Sequence, residues 1–396
     1  MNIKYYLIFL RYFIYRYFFF LKFKPFYTDK LCKIKQVHDS KKTNFFGYYN
    51  FNITDNNDNI IFLETSDDKT VNLIFKEGDS YSTISQTLAW NYQQGCMLNW
   101  FDHDKNQIIY NDFCIDTNGY VSKVVNNIGE EIINFPMAIQ AIAVSSRLAL
   151  CLNYERLNIY RPEYGYSIKS NVDFDNNEDG IWKMNLIDSS YFLLISIQSL
   201  IILEDNDLDI LEAKVNHILI NENENNFVFL FRYKINNIRH HRFYLSDFNG
   251  NIKLLSSKMV SHYCWKDNSN IIFFGEDNSS NEAYFTLNIH NRDINLISEK
   301  LPKTDGHPIL INSRYLIIDT YPKINRFSEL FLYDFVKNNI TKIGEFYQPL
   351  KFSGSNRVDL HPKFSSCGTK CFIESAHLKN TRILYEINIL NLLNNA

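Results

Sequence analysis

Short apolar runs separated by polar turns fill most of the chain, and in its second half they recur as a unit. An apolar segment at 217–220 is followed by one at 227–231, 262–265 by 271–274, 307–311 by 315–319, and 361–364 by 371–375. A third segment follows in three of these units, at 242–247, 283–289 and 329–335, and a fourth in two, at 294–298 and 340–344. Runs this short, bounded by Asn, Asp, Ser and Gly, predict strands rather than helices. Four short strands within a period in the forties is the signature of a propeller blade. Upstream, 60–64, 108–112 and 148–152 match the second strand of the unit, which brings the count to seven. The pattern predicts an all-β chain folded as a seven-bladed β-propeller of four-stranded blades.

Residues 1–24 break the pattern. They are strongly apolar and aromatic but interrupted by Lys4, Arg11, Arg16 and Lys22. The longest uncharged run, 5–10, is far short of the ~20 residues that a spanning helix needs, and a cleavable signal peptide would have an uncharged core before small residues. On a helix, Lys4, Arg11 and Lys22 fall on one stripe. That predicts a short basic, aromatic helix lying in a membrane interface, or else a helix or arm packed against the propeller. The organisation expected is residues 1–30 as this segment and 31–396 as one closed propeller.

Composition agrees with strands: Tyr, Phe, Ile and Asn are abundant, while Gly and Pro number 13 and 8. A net charge of −3 with mixed signs gives no basic surface for nucleic acid. The seven cysteines include no metal-type pair. Cys367 and Cys371 are close enough in sequence for a turn disulfide, but buried free thiols suit the apolar strands better. A reducing compartment follows, so the chain is expected in the cytoplasm, at the inner membrane face if the first segment lies in an interface.

Four of the units begin with a histidine. His217, His262, His307 and His361 recur at 45, 45 and 54 residues. The first strand of a blade lies nearest the central channel, so histidines at its start should ring one channel mouth. Other features belong to the same face: 44–50 before blade one, 89–95 with Gln93 and Gln94 before blade two, and an insertion of roughly 25 residues from Tyr154 to Asp179 in blade three. That insertion carries Glu155, Arg156, Arg161, Tyr164 and Tyr166, and loops of this length are usually functional. Later loops carry Arg232, Arg239, His240, His241 and Arg242, then Asp319, Tyr321 and Arg326, then Glu374, His377 and Arg382. Histidines ringed by arginines and tyrosines suit an anionic sugar, because arginine pairs bidentately with carboxylates and aromatic faces stack on sugar rings. The bland alternative is that each histidine fixes the entry to its strand by bonding to backbone, as the run His361-Pro362-Lys363-Phe364-Ser365 before Gly368 would allow. Cys264 and Trp265 read as packing.

Ser261-His262-Tyr263-Cys264-Trp265, Asp305-Gly306-His307-Pro308 and Asp359-Leu360-His361-Pro362 resemble the oligogalacturonate lyases, bacterial enzymes built on a seven-bladed propeller. The likeness is best in the last three blades. In that family three histidines and a glutamine hold a manganese-type divalent ion, and a further histidine and an arginine flank the sugar. The resemblance implies metal ligands at His307 and His361, with Asp359 where the family has a histidine and Asn356 for the glutamine; beside them His217 is expected as a further ligand or an orienting group. It implies His262 as the catalytic histidine and Arg242 as the catalytic arginine. Arg156, Arg161, Tyr164, Tyr166, Gln93, Gln94 and Arg326 would line the substrate. Replacing a histidine by Asp359 hardens the ligand set. The segments 44–50, 89–95 and 161–166 look more like a group of uncharacterised propellers encoded beside bacterial surface-polysaccharide glycosyltransferases.

Two functions follow. One is a metal-assisted uronate lyase-like enzyme acting on acidic oligosaccharides or polysaccharides. The other is a non-catalytic propeller that binds a glycan or a protein during surface-polysaccharide assembly. The enzyme reading requires the ligand atoms of His307, His361 and a third residue to converge within about 4 Å; rings bonded to backbone would favour binding.

Overall fold

The computed structural model describes residues 24–39, 41–102, 104–169, 175–204, 210–378 and 381–395. Seven antiparallel sheets follow one another along the chain as the blades of a propeller. Their innermost strands are Asn44–Phe45, Asn99–Asp102, Ile139–Ala143, Leu211–Ile220, Val260–Trp265, Pro308–Leu310 and Lys363–Phe364. Blades cover one another on both faces, so second strands are apolar at nearly every position. Tyr315–Asp319 is buried throughout, whereas the outer strand Ser80–Thr87 is largely exposed. The polar residues between strands have a local task. Asp67, Asp247, Asp267 and Asp277 each accept backbone N–H groups from the residues that follow, which builds the turn from the side chain.

The ring is closed by the start of the chain. The last blade supplies three strands of its own, and Lys33–Gln36 adds the fourth, pairing antiparallel with Ile383–Asn388. Just before it, Phe26–Thr28 adds a fifth strand to blade six by pairing with Asn339–Tyr347. Asn44 continues the seam, its Oδ1 accepting the Leu384 N–H at 2.8 Å.

Two local expectations change. The basic run at 232–242 is not a loop: Asn226–Ile235 and Ile238–Asp247 form a long hairpin closed by Asn236 and Asn237, at φ 49° and 63°. Paired left-handed residues make the tight turn whose twist suits a hairpin. The insertion of blade three folds in part as the helix Tyr154–Tyr160, capped by the Asn153 side chain. All seven cysteines are free, with Cys371 buried and Cys367 exposed. Among the described residues no helix is long and apolar enough to cross a membrane. The basic aromatic helix expected over 1–24 falls almost wholly on residues 1–23, outside the described residues.

Candidate active site

The histidines reach the channel through irregularities of the inner strands rather than from strand starts alone. The pairing register shifts between Asn216 and Leu219 and between Val260 and Tyr263, so His217 and His262 stand at bulges inside their strands. A bulge re-aims a side chain. His307 and His361 lie just before Pro308–Leu310 and Lys363–Phe364. His217 and His361 adopt φ of 55° and 44°, left-handed values uncommon for a residue with a Cβ. Matching backbone bonds, Asn111 N–H to Cys96 O and Glu374 N–H to Leu360 O, place Met97 (φ 55°) where blade seven has His361.

The four rings form an arc. Centroids lie 6.0 Å apart for His217 and His262, 4.2 Å for His262 and His307, and 4.4 Å for His307 and His361. Blade one fills the axis with two tyrosines: Tyr48 stacks on His217 at 5.0 Å, and Tyr49 lies 5.0 Å from His307. Tyr164 of the insertion meets His217 at 4.9 Å, and Tyr321 meets His307 at 5.8 Å. The rings are deeply enclosed, at 3%, 3%, 2% and 1% exposed in chain order.

Side chains, not backbone, hold the ring nitrogens of His217, His262 and His307. His262 Nδ1 is 3.0 Å from Asp305 Oδ1, and Ser261 donates to the other carboxylate oxygen at 2.6 Å. His307 Nδ1 is 3.0 and 3.1 Å from the two Asp319 oxygens, and its backbone N–H also bonds Asp319. Asp319 Oδ2 takes the His361 N–H at 3.2 Å. His217 Nδ1 bonds the Tyr48 hydroxyl. Gly306 is required here, because a Cβ would stand 1.8 Å from the Asp319 carbonyl oxygen.

These partners sort the imidazoles. Burial holds His262 below its ordinary value against the opposing pull of Asp305. For His307 burial also acts downward, but Asp319 overrides it and the net shift is upward. Burial, then the charge of His307, Lys363 and Arg357, drives His361 far down; burial and Arg232 do the same to His217. His361 is therefore neutral, and a carboxylate on Nδ1 of both His262 and His307 leaves Nε2 as the other polar atom of each ring.

His307, Asp359 and His361 each offer one donor atom, and the three atoms lie within 4.8 Å of one another. That is wider than about 4 Å but spans what donors at ~2.0–2.4 Å from a six-coordinate ion would subtend, ~4–5 Å across the ion. Asp359 Oδ1 and His361 Nδ1 are buried without a hydrogen-bond partner. Asp359 is oriented through its other oxygen, 2.7 Å from Arg357 Nε. Two imidazoles, a carboxylate and orphaned polar atoms in one enclosed place fit a divalent ion.

A clamp supports this side of the site. Glu374 takes the N–H groups of Phe46 and Gly47 at 3.1 and 2.8 Å, and pairs with Arg382 at 2.9 Å. Arg382 donates to the carbonyls of Tyr92 and Arg357, and Lys363 to that of Gly47. Gly47, at φ 108°, passes so close to the Gln94–Gly95 backbone that a Cβ would lie 2.5 Å from Gly95 N. The segments at 44–50 and 91–95 are thereby locked against the loop that carries Asp359.

Other expected residues divide. Tyr164 and Arg161 stand over His217, Arg161 lying 5.0 Å above the Tyr164 ring and 3.3 Å from Glu163. Gln93 donates to the Arg357 carbonyl at 2.9 Å, and the Gln94 amide is buried with neither atom bonded. His217 lies outside the three-residue donor group. Asn356 sits in the turn Gly354–Asn356 just before Asp359. Three residues have structural work instead. Arg156 ties the insertion to Asp179 and the Ala213 carbonyl, Tyr166 stacks on Tyr154 at 4.1 Å, and Arg326 bonds the carbonyls of Gln348 and Phe352. Arg242 pairs with Glu204 on the other face of its strand, away from the histidines. Arg232, buried and hydrogen-bonded to the Val260 carbonyl at 3.1 Å, is the blade-four arginine whose charge reaches His217. The sequence reading gave no role to Asp305, Asp319, Tyr48, Tyr49 or Arg357; an aspartate two residues before both His307 and His361 was the available signal.

No sequence family and no curated protein matches the chain. Solved structures do. An oligogalacturonate lyase from Vibrio parahaemolyticus superposes at a TM-score of 0.63 and 10% identity, over 92% of this chain and 96% of that one. An oligogalacturonate lyase in complex with manganese gives 0.63 and 10%, over 90% and 96%. The β-propeller domain of the Trilobed protease from Pyrococcus furiosus gives 0.50 and 8%, over 86% and 95%. At such identities the shared property is architecture: the chain has the propeller fold of the oligogalacturonate lyases.

Proposed function

We propose that the protein is a metal-assisted lyase-like enzyme that cleaves acidic, uronate-bearing oligosaccharides by β-elimination. The observation that carries this reading is the placement of the Asp305–His262 pair 4.2 Å, ring to ring, from His307, itself beside His361 and Asp359. Elimination needs loss of the weakly acidic C5 proton, which an ionised carboxylate at C6 does not acidify. A divalent ion on His307, His361 and Asp359, manganese in the one lyase complex named above, would neutralise that carboxylate. His262 is the base. Held neutral by burial, with Nδ1 on Asp305, it presents Nε2 to the proton, and Asp305 stabilises the imidazolium that results. The electron pair left at C5 forms C4=C5 as the C4–O glycosidic bond breaks, and the departing oxygen takes a proton from that imidazolium or from solvent. Arg357 orients Asp359. Tyr49 and Tyr321 wall the site and exclude water.

A binding role without chemistry is favoured by one observation, the near-complete enclosure of the four rings beneath Tyr48, Tyr49 and Tyr164. Bound manganese, zinc, iron and calcium in wild type and in His307→Ala/His361→Ala, both checked for folding, separate the two. Near-stoichiometric metal lost in the variant, with an ultraviolet-absorbing unsaturated product from acidic oligosaccharides, is the expected result. No metal in either protein after incubation with divalent ions would overturn the lyase reading and leave the binding one.

A further inference from the structure

Blade four carries a feature that the histidine chemistry leaves unused. Its first three strands pair Lys214 with Arg232 and Arg232 with His241, so three basic residues stand in one row on one face of the sheet. Lys214 and Arg232, like charges directly opposite one another, repel. Two positions along the same face Lys234 pairs with Arg239, and the insertion adds Arg161, with the Tyr160 ring 5.6 Å from the Lys214 ammonium. The nearby carboxylates are engaged: Glu212 with Lys234 at 2.5 Å, and Glu163 with Arg161 at 3.3 Å. Lys214 and Arg232 are only 4% and 6% exposed. Arg232 Nε and His241 Nδ1 are buried with no hydrogen-bond partner. Burial first, and then the surrounding arginines against the pull of Glu212, brings the Lys214 ammonium down to about 8; burial and the arginines bring His241 down to about 3. Lys214 Nζ spends one hydrogen on the Glu212 carbonyl at 3.0 Å and Arg232 one on that of Val260, which leaves two enclosed cations beside the unpartnered Arg232 Nε and His241 Nδ1, an arrangement complementary to an anion.

We propose that the row Lys214, Arg232 and His241, faced by Arg161, is a second anion subsite, so that the ligand is an acidic oligosaccharide with two anionic groups held at once. One group lies at His307 and His361, which rests on the lyase reading; the other lies on blade four, which does not. His217 stands between them, within reach of the Arg232 charge and 6.0 Å from His262. A carboxylate, a phosphate and a sulfate share the chemistry that the row recognises.

Inorganic phosphate and sulfate are the probes, added to the metal-stripped full chain, with sodium chloride at matched ionic strength as the control. Wild type should melt higher in phosphate or sulfate than in chloride. The shift should vanish in Lys214→Met/His241→Gln, which, relieved of the repulsion between Lys214 and Arg232, should melt higher in chloride than wild type does. It should persist in His307→Ala/His361→Ala. Absence of the shift in wild type, its survival in the blade-four variant, or its loss in the histidine variant would each overturn the subsite. If Lys214→Met/His241→Gln fails to fold, Arg161→Gln at the rim takes its place, with a severalfold weakening expected and an unchanged shift counting against the proposal. A uronic acid dimer should bind at least tenfold tighter than the monomer, an advantage lost in the blade-four variant; equal binding would refute the two-group ligand. Failure of metal binding with the phosphate shift intact removes only the lyase reading.

Discussion

Blades five to seven and blade four treat the same inward histidine in opposite ways. Behind His262, His307 and His361 stand Asp305, Asp319 and Asp359, so that side collects negative charge around imidazoles and suits a cation. Behind His217 stand Tyr48, Arg232 and Lys214, so that side collects positive charge and suits an anion. One backbone position repeated around a ring can thus serve two chemistries, because the connection into the next blade and the neighbouring strands, rather than the repeated residue, decide the charge behind it.

The largest effect expected from disturbing the acidic side is on chemistry. His262→Gln should lower lyase turnover by ~10²–10⁴-fold with metal content unchanged, read by product absorbance beside elemental analysis; a parallel loss of metal would place His262 among the ligands instead. Arg382→Met comes next. It leaves Glu374 buried and unpaired, which should destabilise folding by ~3–5 kcal/mol in urea unfolding, whereas the paired change Arg382→Met/Glu374→Gln should recover part of that. Asp319→Asn weakens the carboxylate behind His307 and should cut metal affinity ~10–100-fold by calorimetry.

The smallest effect belongs to the basic side. His241 is held neutral in the folded protein, at about 3, while the unfolded chain protonates near the ordinary 6.5. Between these values the unfolded state binds more protons, so stability is lost as pH falls below about 6.5. Partial exposure limits the slope to no more than ~1 kcal/mol per pH unit. Unfolding midpoints at pH 7 and 5 should therefore converge in His241→Gln; an unchanged acid slope would show that other groups carry it.

Much of this comparison could be read from residue order. The histidine period and the alternation of short apolar runs predicted the blades, and Asp305-Gly306-His307-Pro308 already held the carboxylate that orients His262. Other parts depended on register. Arg232 and Arg242 both flank the Asn236-Asn237 turn, and only a two-residue turn pairs Arg232 with His241 and Arg242 with Phe231, which sends the two arginines to opposite faces. Reading those asparagines as a tight hairpin would have selected Arg232. Asp319 lies in the second strand, twelve residues after His307, and nothing local ties them; the contact exists because adjacent strands pair. Lys33–Gln36 was missed for another reason. It is short and half polar, as an outermost strand is, and its partner lies at the opposite end of the chain.

That partner sets a timetable for biogenesis. Lys33–Gln36 precedes the first blade in synthesis and Ile383–Asn388 belongs to the seventh, so this strand must wait while six blades are made before its partner exists. Until then its edge is an unpaired template, open to capture by a chaperone or a neighbouring nascent chain. Asp359 and His361 belong to the blade that this strand completes. Sealing of the ring and assembly of the three-donor group therefore coincide, and a chain stalled before the seventh blade would carry His217, His262 and His307 without Asp359 and His361.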